Sequence, residues 1–282
     1  MSVSLILATI GRTQEVGRLI DTLLAQTDQR FELIVVDQNP DERLKPYVRL
    51  AQDGGLDIRH ERMERPGLSS ARNRGISLAK YDILAFPDDD CWYEDKVIER
   101  VIRSFQSQRL GGLVARWVEQ SGALPAQAYQ LDLSAWRNFR GGHASSISLF
   151  LDRTLFRTIG GFDERLGVGG WYGAAEETDF VLRALAHGAR LEHVPDILVH
   201  HAYNTQPVGA LAGICRQARR RGRGTGAIYA KHKLDAYVIV RGLVAPVLNA
   251  LPKCLQPRWL MRGLFTSMGR LEGYLRWRAK ES

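Results

Sequence analysis

The 282-residue chain predicts an α/β fold, a mostly parallel mixed sheet flanked by helices, with a basic helical C-terminal extension. Three observations predict it. Short apolar runs of strand length alternate with amphipathic segments long enough to be helices, the pattern of βαβ units. The first, second and fourth runs end on Thr9, Asp37 and Asp88–Asp90. In parallel sheets ligands collect beyond the carboxyl ends of the strands, so these polar residues gather where a site belongs. The third observation is a shift in charge. Residues 206–282 hold fifteen Lys and Arg against three Asp and Glu, whereas residues 1–205 hold 24 basic and 28 acidic residues. A slightly acidic body of residues 1–205 is thus followed by a strongly basic extension of residues 206–282.

Taken in order, Val3 to Ala8 is an apolar β-rich run ending at Thr9-Ile10-Gly11-Arg12. A helical pattern follows, with Val16, Leu19, Ile20, Leu23 and Leu24 on one face. Phe31 to Val36 is the second strand and stops at Asp37. A helix is expected over Asp41 to Asp53 and a short strand over Asp57 to Glu61. Arg65-Pro66-Gly67 is a turn, and Ser69 or Ser70 can cap a helix running to Ala79. Ile83 to Phe86 is short enough to be a buried strand, and Pro87, lacking an N–H, ends it. The next helix is expected from about Tyr93 to Gln108.

Asp88, Asp89 and Asp90 leave that strand together. Three adjacent carboxylates at a buried strand end repel one another and lose hydration. A hard divalent cation relieves both costs, because Mg²⁺ or Mn²⁺ favours carboxylate oxygens and shares them with substrate phosphates. The competing reading is an acidic turn that caps the following helix.

Composition excludes several classes. Cys91, Cys215 and Cys254 are far apart and odd in number, which argues against a disulfide framework or a zinc site and suits a reducing, cytoplasmic compartment. The first residues already read as a strand rather than a signal peptide. The longest apolar run, Tyr237 to Leu251, is interrupted by Arg241, Pro246 and Asn249, so no bilayer span is expected. The extension pairs Leu, Phe, Trp and Tyr with Arg and Lys over Ile228–Lys233, Val238–Leu251 and Trp259–Trp277. Such segments lie on anionic membrane surfaces, pack back on the body, or dimerise. Arg219-Arg220-Arg221-Gly222-Arg223-Gly224-Thr225-Gly226 has Gly-x-Gly spacing but follows no strand, so it is no dinucleotide fingerprint.

A first strand ending in Thr-x-x-Arg, a second in Val-Val-Asp, then Gly67, Ala71, Arg72, Asn73 and Gly75, then Phe-Pro-Asp-Asp-Asp, together resemble the family 2 glycosyltransferases. The resemblance covers roughly residues 1–205 and implies a GT-A nucleotide-sugar-binding and catalytic domain. It implies an inverting, metal-dependent transfer, of the hexosyltransferase class, from a nucleotide-diphosphate sugar to a glycan or lipid-linked acceptor. On it, Thr9, Arg12, Asp37, Gly67, Arg72, Asn73, Asp88 and Asp89 face the donor, which is a UDP-sugar in the first place. Asp37 would receive the pyrimidine N3–H, and Arg72 would face the phosphates. Asp88 and Asp90 match the Asp-x-Asp signature, Asp90 as ligand of Mn²⁺ or Mg²⁺.

Farther on, Ala175-Glu176-Glu177-Thr178-Asp179-Phe180 resembles the family's Glu-Asp-x-Asp segment, with Glu177 where the general base is usually Asp. On helical spacing Glu177 shares a face with Val181 and Leu185, while Glu176 shares another with Asp179 and Arg183. A carboxylate on the apolar side suits a base poised by desolvation, with Glu176 and Asp179 as the other candidates. By the same resemblance a histidine after the Pro195–His201 strand completes the metal site, His201 ahead of His200. Trp171 and Tyr172, in the glycine-rich loop 167–173, read either as a lid over donor and acceptor or as an ordinary surface loop.

Two other classes remain in view. A sugar-phosphate nucleotidyltransferase needs an N-terminal Gly-rich loop with a following lysine, which Ile10-Gly11-Arg12 does not supply. A nucleic-acid-binding protein would use the basic extension but leave the aspartates without a role, so no nucleic-acid partner is expected. The localisation expected is cytoplasmic, peripheral at the inner face of the cell membrane, and a homodimer is among the arrangements open to the extension.

Overall fold

The computed structural model describes residues 1–119, 127–142, 144–202, 209–253 and 256–281. The expected boundary at 205/206 and Cys254 lie outside the described residues. The first half alternates β1 (Val3–Thr9), α1 (Gln14–Leu24), β2 (Phe31–Asp37), α2 (Lys45–Asp53), β3 (Ile58–Arg62), α3 (Leu68–Leu78) and β4 (Ile83–Ala85). Then come β5 (Cys91–Tyr93), α4 (Val97–Ser107), β6 (Gly112–Trp117), β7 (Tyr129–Gln130), α5 (Leu133–Arg137), β8 (Leu149–Asp152) and α6 (Arg153–Ile159). The chain closes with α7 (Glu176–Ala186), β9 (Leu191–His201), α8 (Leu211–Lys231), α9 (Ala236–Leu248) and α10 (Pro257–Glu281).

The strands form a nine-stranded mixed sheet in the order β3-β2-β1-β4-β8-β6-β9-β5, with β7 also on β9. β3, β2, β1, β4, β6 and β9 run one way, and β5, β7 and β8 run against them. The sheet is therefore mostly parallel, as expected. In register, Thr9 of β1 lies beside Asp37 of β2, so the strand-end polar residues share one edge. Both faces are covered. Leu5 and Leu7 join the core of α1 and α4, while Ile6 between them joins the core of α7 and Phe180. That two-sided burial explains strands that read as unbroken apolar runs.

Four boundaries differ from expectation. Helix α2 begins at Lys45, not Asp41, because Pro46 has no N–H and fits only a first turn. The N-cap of α3 is Gly67, while Ser69 donates to the Leu166 carbonyl and Ser70 to that of Gly67. Tyr93 is no helix start. Cys91–Tyr93 pairs antiparallel with Val199–His201, a partner too distant in sequence for local pattern to reveal. Helix α8 runs straight through the Arg- and Gly-rich segment 219–226.

The last feature has a packing cause. A Cβ on Gly226 would lie 1.9 Å from the Arg270 carbonyl oxygen, and one on Gly273 2.0 Å from that of Arg223. The glycines bring α8 and α10 into backbone contact. The extension then folds onto the body, where Trp277 of α10 is 1% exposed in the same core as Phe180 and Tyr172. No described helix is long and apolar enough to cross a membrane.

Candidate active site

The acidic segment after β4 is split between two environments. The Thr9 hydroxyl donates to Asp89 Oδ2 at 2.7 Å, and Arg12 pairs with Asp89 and with Asp90, each at 2.6 Å. Asp89 is thereby tied to the end of β1. Its burial pushes the carboxyl up, against the Thr9 hydrogen bond and the Arg12 charge. Asp88, Asp90 and His201 turn to one another, with ligand atoms all within 4.8 Å. Two carboxylates and an imidazole are a donor set for Mn²⁺ or Mg²⁺ with positions left for a substrate. Asp90 Oδ1 lies 2.8 Å from His201 Nε2. Burial pushes Asp90 up, but His201 and Arg12 outweigh it and hold the carboxyl below the usual range. Conversely the two aspartates raise His201 above its ordinary value, over the opposing effect of burial.

The pairing of β5 with β9 makes this cluster. It seats Cys91 opposite His201 and Trp92 opposite His200, and alternation along the strand sends the two histidines to opposite faces. His200 is not part of the cluster. It stacks on Trp92 at 5.2 Å and pairs with Glu119 at 3.1 Å.

Asp88 also connects to α7. Arg72, 1% exposed, donates to Asp88 Oδ1 at 3.0 Å and to Glu176 Oε1 at 2.9 Å. A third of the Asp88 side chain opens on a cleft of about 520 Å³, yet enclosure pushes its carboxyl up against the pull of Arg72. Glu176 and Glu177 line the same cleft. Ala175, which precedes α7, holds φ 81°, a left-handed conformation that costs a non-glycine residue about 1–2 kcal/mol and sets the first turn of α7.

Glu176 and Asp179 are buried, and Glu177 is half-buried with its carboxylate enclosed in the cleft. Asp179 receives Arg183 at 2.8 Å, Lys231 at 2.8 Å and His232 at 2.9 Å, and is a tie between α7 and α8. Glu177 Oε2 is enclosed without a hydrogen-bond partner. Burial first, and the Glu176 carboxylate second, push the Glu177 carboxyl well above its ordinary range.

Other expected residues sit elsewhere. Asp37, fully buried, accepts from the Asn39 backbone and amide at 2.8 and 2.7 Å, and lies 2.9 Å from His60 Nε2. The Gly67 N–H donates to Gln38 Oε1 at 2.6 Å, joining the end of β2 to the start of α3. Asn73 ties α3 to the 160s loop, donating to the Phe162 carbonyl and Glu164 and accepting from the Phe162 N–H. Trp171 and Tyr172 pack against the C-terminal helices. Trp171 lies between the guanidiniums of Arg223 and Arg276, at 4.3 and 4.2 Å, and Tyr172 packs edge-on to Trp277 at 5.3 Å. Their aromatic surface is taken by the C-terminal helices. Residues with no motif complete the cleft wall, among them Trp117, Trp136, Phe139 and, from the basic extension, Arg221.

Residues 4–153 match the family profile "Glycosyl transferase family 2". The chain belongs to this family. The glucosyl-dolichyl phosphate glucuronosyltransferase of Haloferax volcanii is 30% identical to this family 2 transferase over 186 residues, 59% of this chain and 58% of that one. This chain thus spans little more than half of that relative's length. The glycosyltransferase AglE of the same organism is 23% identical over 93% of this chain and 84% of its own. Among solved structures, the mannosyltransferase PcManGT of Pyrobaculum calidifontis, in complex with GDP-Man and Mn²⁺, superposes with a TM-score of 0.67 at 16% identity, over 96% of this chain and 86% of its own. TarS residues 1–349 of S. aureus with UDP-GlcNAc gives 0.62 at 14% identity, over 98% and 92%. The fold of this family 2 transferase is GT-A. The profile match ends before Glu176 and His201, so the chemistry there rests on geometry.

Proposed function

We propose that this chain is an inverting glycosyltransferase that moves a sugar from a nucleotide-diphosphate donor, a UDP-sugar in the first place, to a hydroxyl of a glycan or lipid-linked glycan. One observation carries the reading: Arg72 joins Asp88 of the acidic cluster to Glu176, beside Glu177, whose Oε2 has no hydrogen-bond partner, in the same cleft. Diphosphate chemistry and proton removal are thus brought to two sides of one space. Residues 1–205 would form the donor-binding and catalytic part, and residues 206–282 the basic extension.

In this reading Asp37, held by Asn39 and His60, marks the place of the base, and Arg72 meets the diphosphate. Ionised Glu177 takes the proton of the acceptor hydroxyl as its oxygen attacks the anomeric carbon. The bond from that carbon to the diphosphate oxygen breaks on the opposite face, and the nucleotide diphosphate leaves with the electron pair. A divalent cation bound by Asp88, Asp90 and His201 would supply Lewis-acid stabilisation of that leaving group. Asp89, engaged by Thr9 and Arg12, positions its neighbours. The names of relatives support the substrate class: one acts on a glucosyl-dolichyl phosphate, and the neighbours hold GDP-Man and UDP-GlcNAc.

The test is a panel of nucleotide sugars with mass-spectrometric detection of the released nucleotide and of the glycosylated acceptor. Release from one donor, dependent on acceptor, is the expected outcome. No release from any donor under Mn²⁺ or Mg²⁺ would refute the reading. An appendage that docks at the inner face of the cell membrane fits it, since α9 and α10 expose Tyr237, Val240, Leu248 and Leu275 among basic residues.

A further inference from the structure

Helices α8 and α10 flank a second, open cavity, of about 670 Å³. Its wall is of two kinds. Leu211, Met261 and Phe265 give it an apolar side, and Arg216, Arg219, Arg220 and Arg223 line the same space. Glu272 answers Arg219 and Arg223. Arg216 and Arg220 have no carboxylate partner among the described residues, and Arg220 Nε donates to the Gly170 carbonyl at 3.1 Å. The cavity therefore holds surplus positive charge carried on guanidiniums, whose planar forks suit a phosphate. A free phosphate would leave the apolar side unfilled. The wall calls for an anion attached to a hydrocarbon chain.

The surroundings say where that chain would go. On α10, Leu264, Met268, Leu271 and Leu275 recur at helical spacing and are 39%, 46%, 45% and 56% exposed. Met261 and Phe265 adjoin this stripe on the helical wheel, so the cavity opens beside an exposed apolar surface. Its other end adjoins the catalytic cleft. The Gly173 N–H donates to the Arg220 carbonyl at 3.2 Å, and both Gly173 and Arg221 line the cleft that holds Glu177.

We propose that this cavity binds the phosphate and first apolar units of a lipid-linked acceptor, and so presents the acceptor's sugar to the cleft. The ligand's role rests on the transfer reaction proposed above; its chemistry rests on the cavity alone. The experiment is retention of the full chain, without nucleotide sugar, on phosphatidylcholine vesicles carrying polyprenyl monophosphate. Vesicles of equal charge made with phosphatidylglycerol, and excess inorganic phosphate as competitor, are the other arms.

Retention on the polyprenyl phosphate vesicles should exceed that on phosphatidylglycerol, resist inorganic phosphate, and fall about tenfold in Arg216→Gln, the loss of one charged hydrogen bond. Phe265→Ser should lower it too, and a photoreactive polyprenyl phosphate should label the peptides holding Cys215 and Phe265. Arg216 is exposed, so its variant tests contact rather than folding. Equal retention on both vesicle types with no effect of Arg216→Gln would overturn the proposal in favour of a general anionic surface. Displacement by inorganic phosphate would reduce the cavity to a small-anion site. Protection of the α10 stripe by self-association in solution, without labelling, would assign it to a second copy. Because retention is read without donor, absence of transfer would refute the reaction and leave this site standing, and the reverse holds.

Discussion

Arg72 and Glu176 are 104 residues apart in sequence, and their side chains meet at 2.9 Å with only 2% and 5% of their surfaces exposed. The pair fixes α7 against α3 and orients the guanidinium whose other arm holds Asp88. Removing one partner of a buried ion pair costs about 3–5 kcal/mol. Arg72→Ala should therefore lower the unfolding free energy measured in urea by that amount, besides losing nucleotide binding. Glu176→Gln, which keeps one acceptor oxygen, should lose less. Equal stability of Arg72→Ala and the parent would show that the pair is not formed in solution.

Glu177 answers a different measurement. Glu177→Gln keeps the shape and removes the proton acceptor, so transfer should fall about 10²–10⁴-fold while donor affinity holds. Asp179→Asn should instead loosen α8 and lower the melting temperature. If Asp179→Asn or Glu176→Gln costs more transfer at full folding, the base is that residue.

The pH dependence has a definite sign. Burial and the Glu176 charge raise the Glu177 carboxyl, so its basic form accumulates only above the ordinary carboxylate range. Acceptor-dependent kcat/KM should climb with pH through that raised value, and Glu177→Gln should lack the limb. Stability moves the other way. A carboxyl raised in the folded state contributes stability below its unfolded value that is lost as pH rises through the folded one. The parent should therefore lose stability on that rise relative to Glu177→Gln in urea titrations at several pH values.

For the cation, the two histidines are the comparison. His201→Ala should raise the Mn²⁺ concentration needed for half-maximal nucleotide binding, and Asp90→Ala should abolish the cation-dependent part. His200→Ala should leave it unchanged, since that ring faces Glu119 and Trp92. EDTA-treated protein that binds and turns over its donor as well as protein given Mn²⁺ would rule out the cluster as a metal site.

The crossing of α8 and α10 predicts a contrast between glycines. Gly226→Ala would drive a methyl into the Arg270 carbonyl and should destabilise by about 1–3 kcal/mol or more. Gly213→Ala, with nothing within 4 Å of the new atom, should stabilise α8 by up to about 1 kcal/mol through helix propensity. Thermal unfolding of the two variants side by side reads the difference.

Much of the framework was legible because its signals are local. Val3–Thr9 and Phe31–Asp37 are runs of strand length, and Val16, Leu19, Ile20 and Leu23 repeat at helical period, so each element could be read from its own residues. The Asp88–Asp90 segment was legible for the same reason. What escaped depends on partners far along the chain. Strand β5 exists only against His200 and His201, and Trp171 faces the extension because Arg223 and Arg276 clasp it. Glu176 and Asp179 are buried as well because Arg72 of α3 and Lys231 of α8, both far along the chain, pair with them. Arg221 reaches the cleft on α8, whose Gly224 packs against the backbone of Ala174, and nothing beside it in sequence announces that.

Trp277 lies in the same core as Phe180 and Tyr172, about a hundred residues earlier in the chain. During synthesis, strands and α7 emerge first, and at ~5–20 residues per second the ribosome needs on the order of ten seconds to go from His201 to Trp277. Through that interval the pocket for the indole stands open and α8 lacks the helix that packs against its glycines. A nascent chain halted before α10 should thus be cut readily by protease near Tyr172, and one halted after it should resist. The core around Phe180 is therefore closed only once α10 has emerged, long after the strands and α7 that form the rest of it.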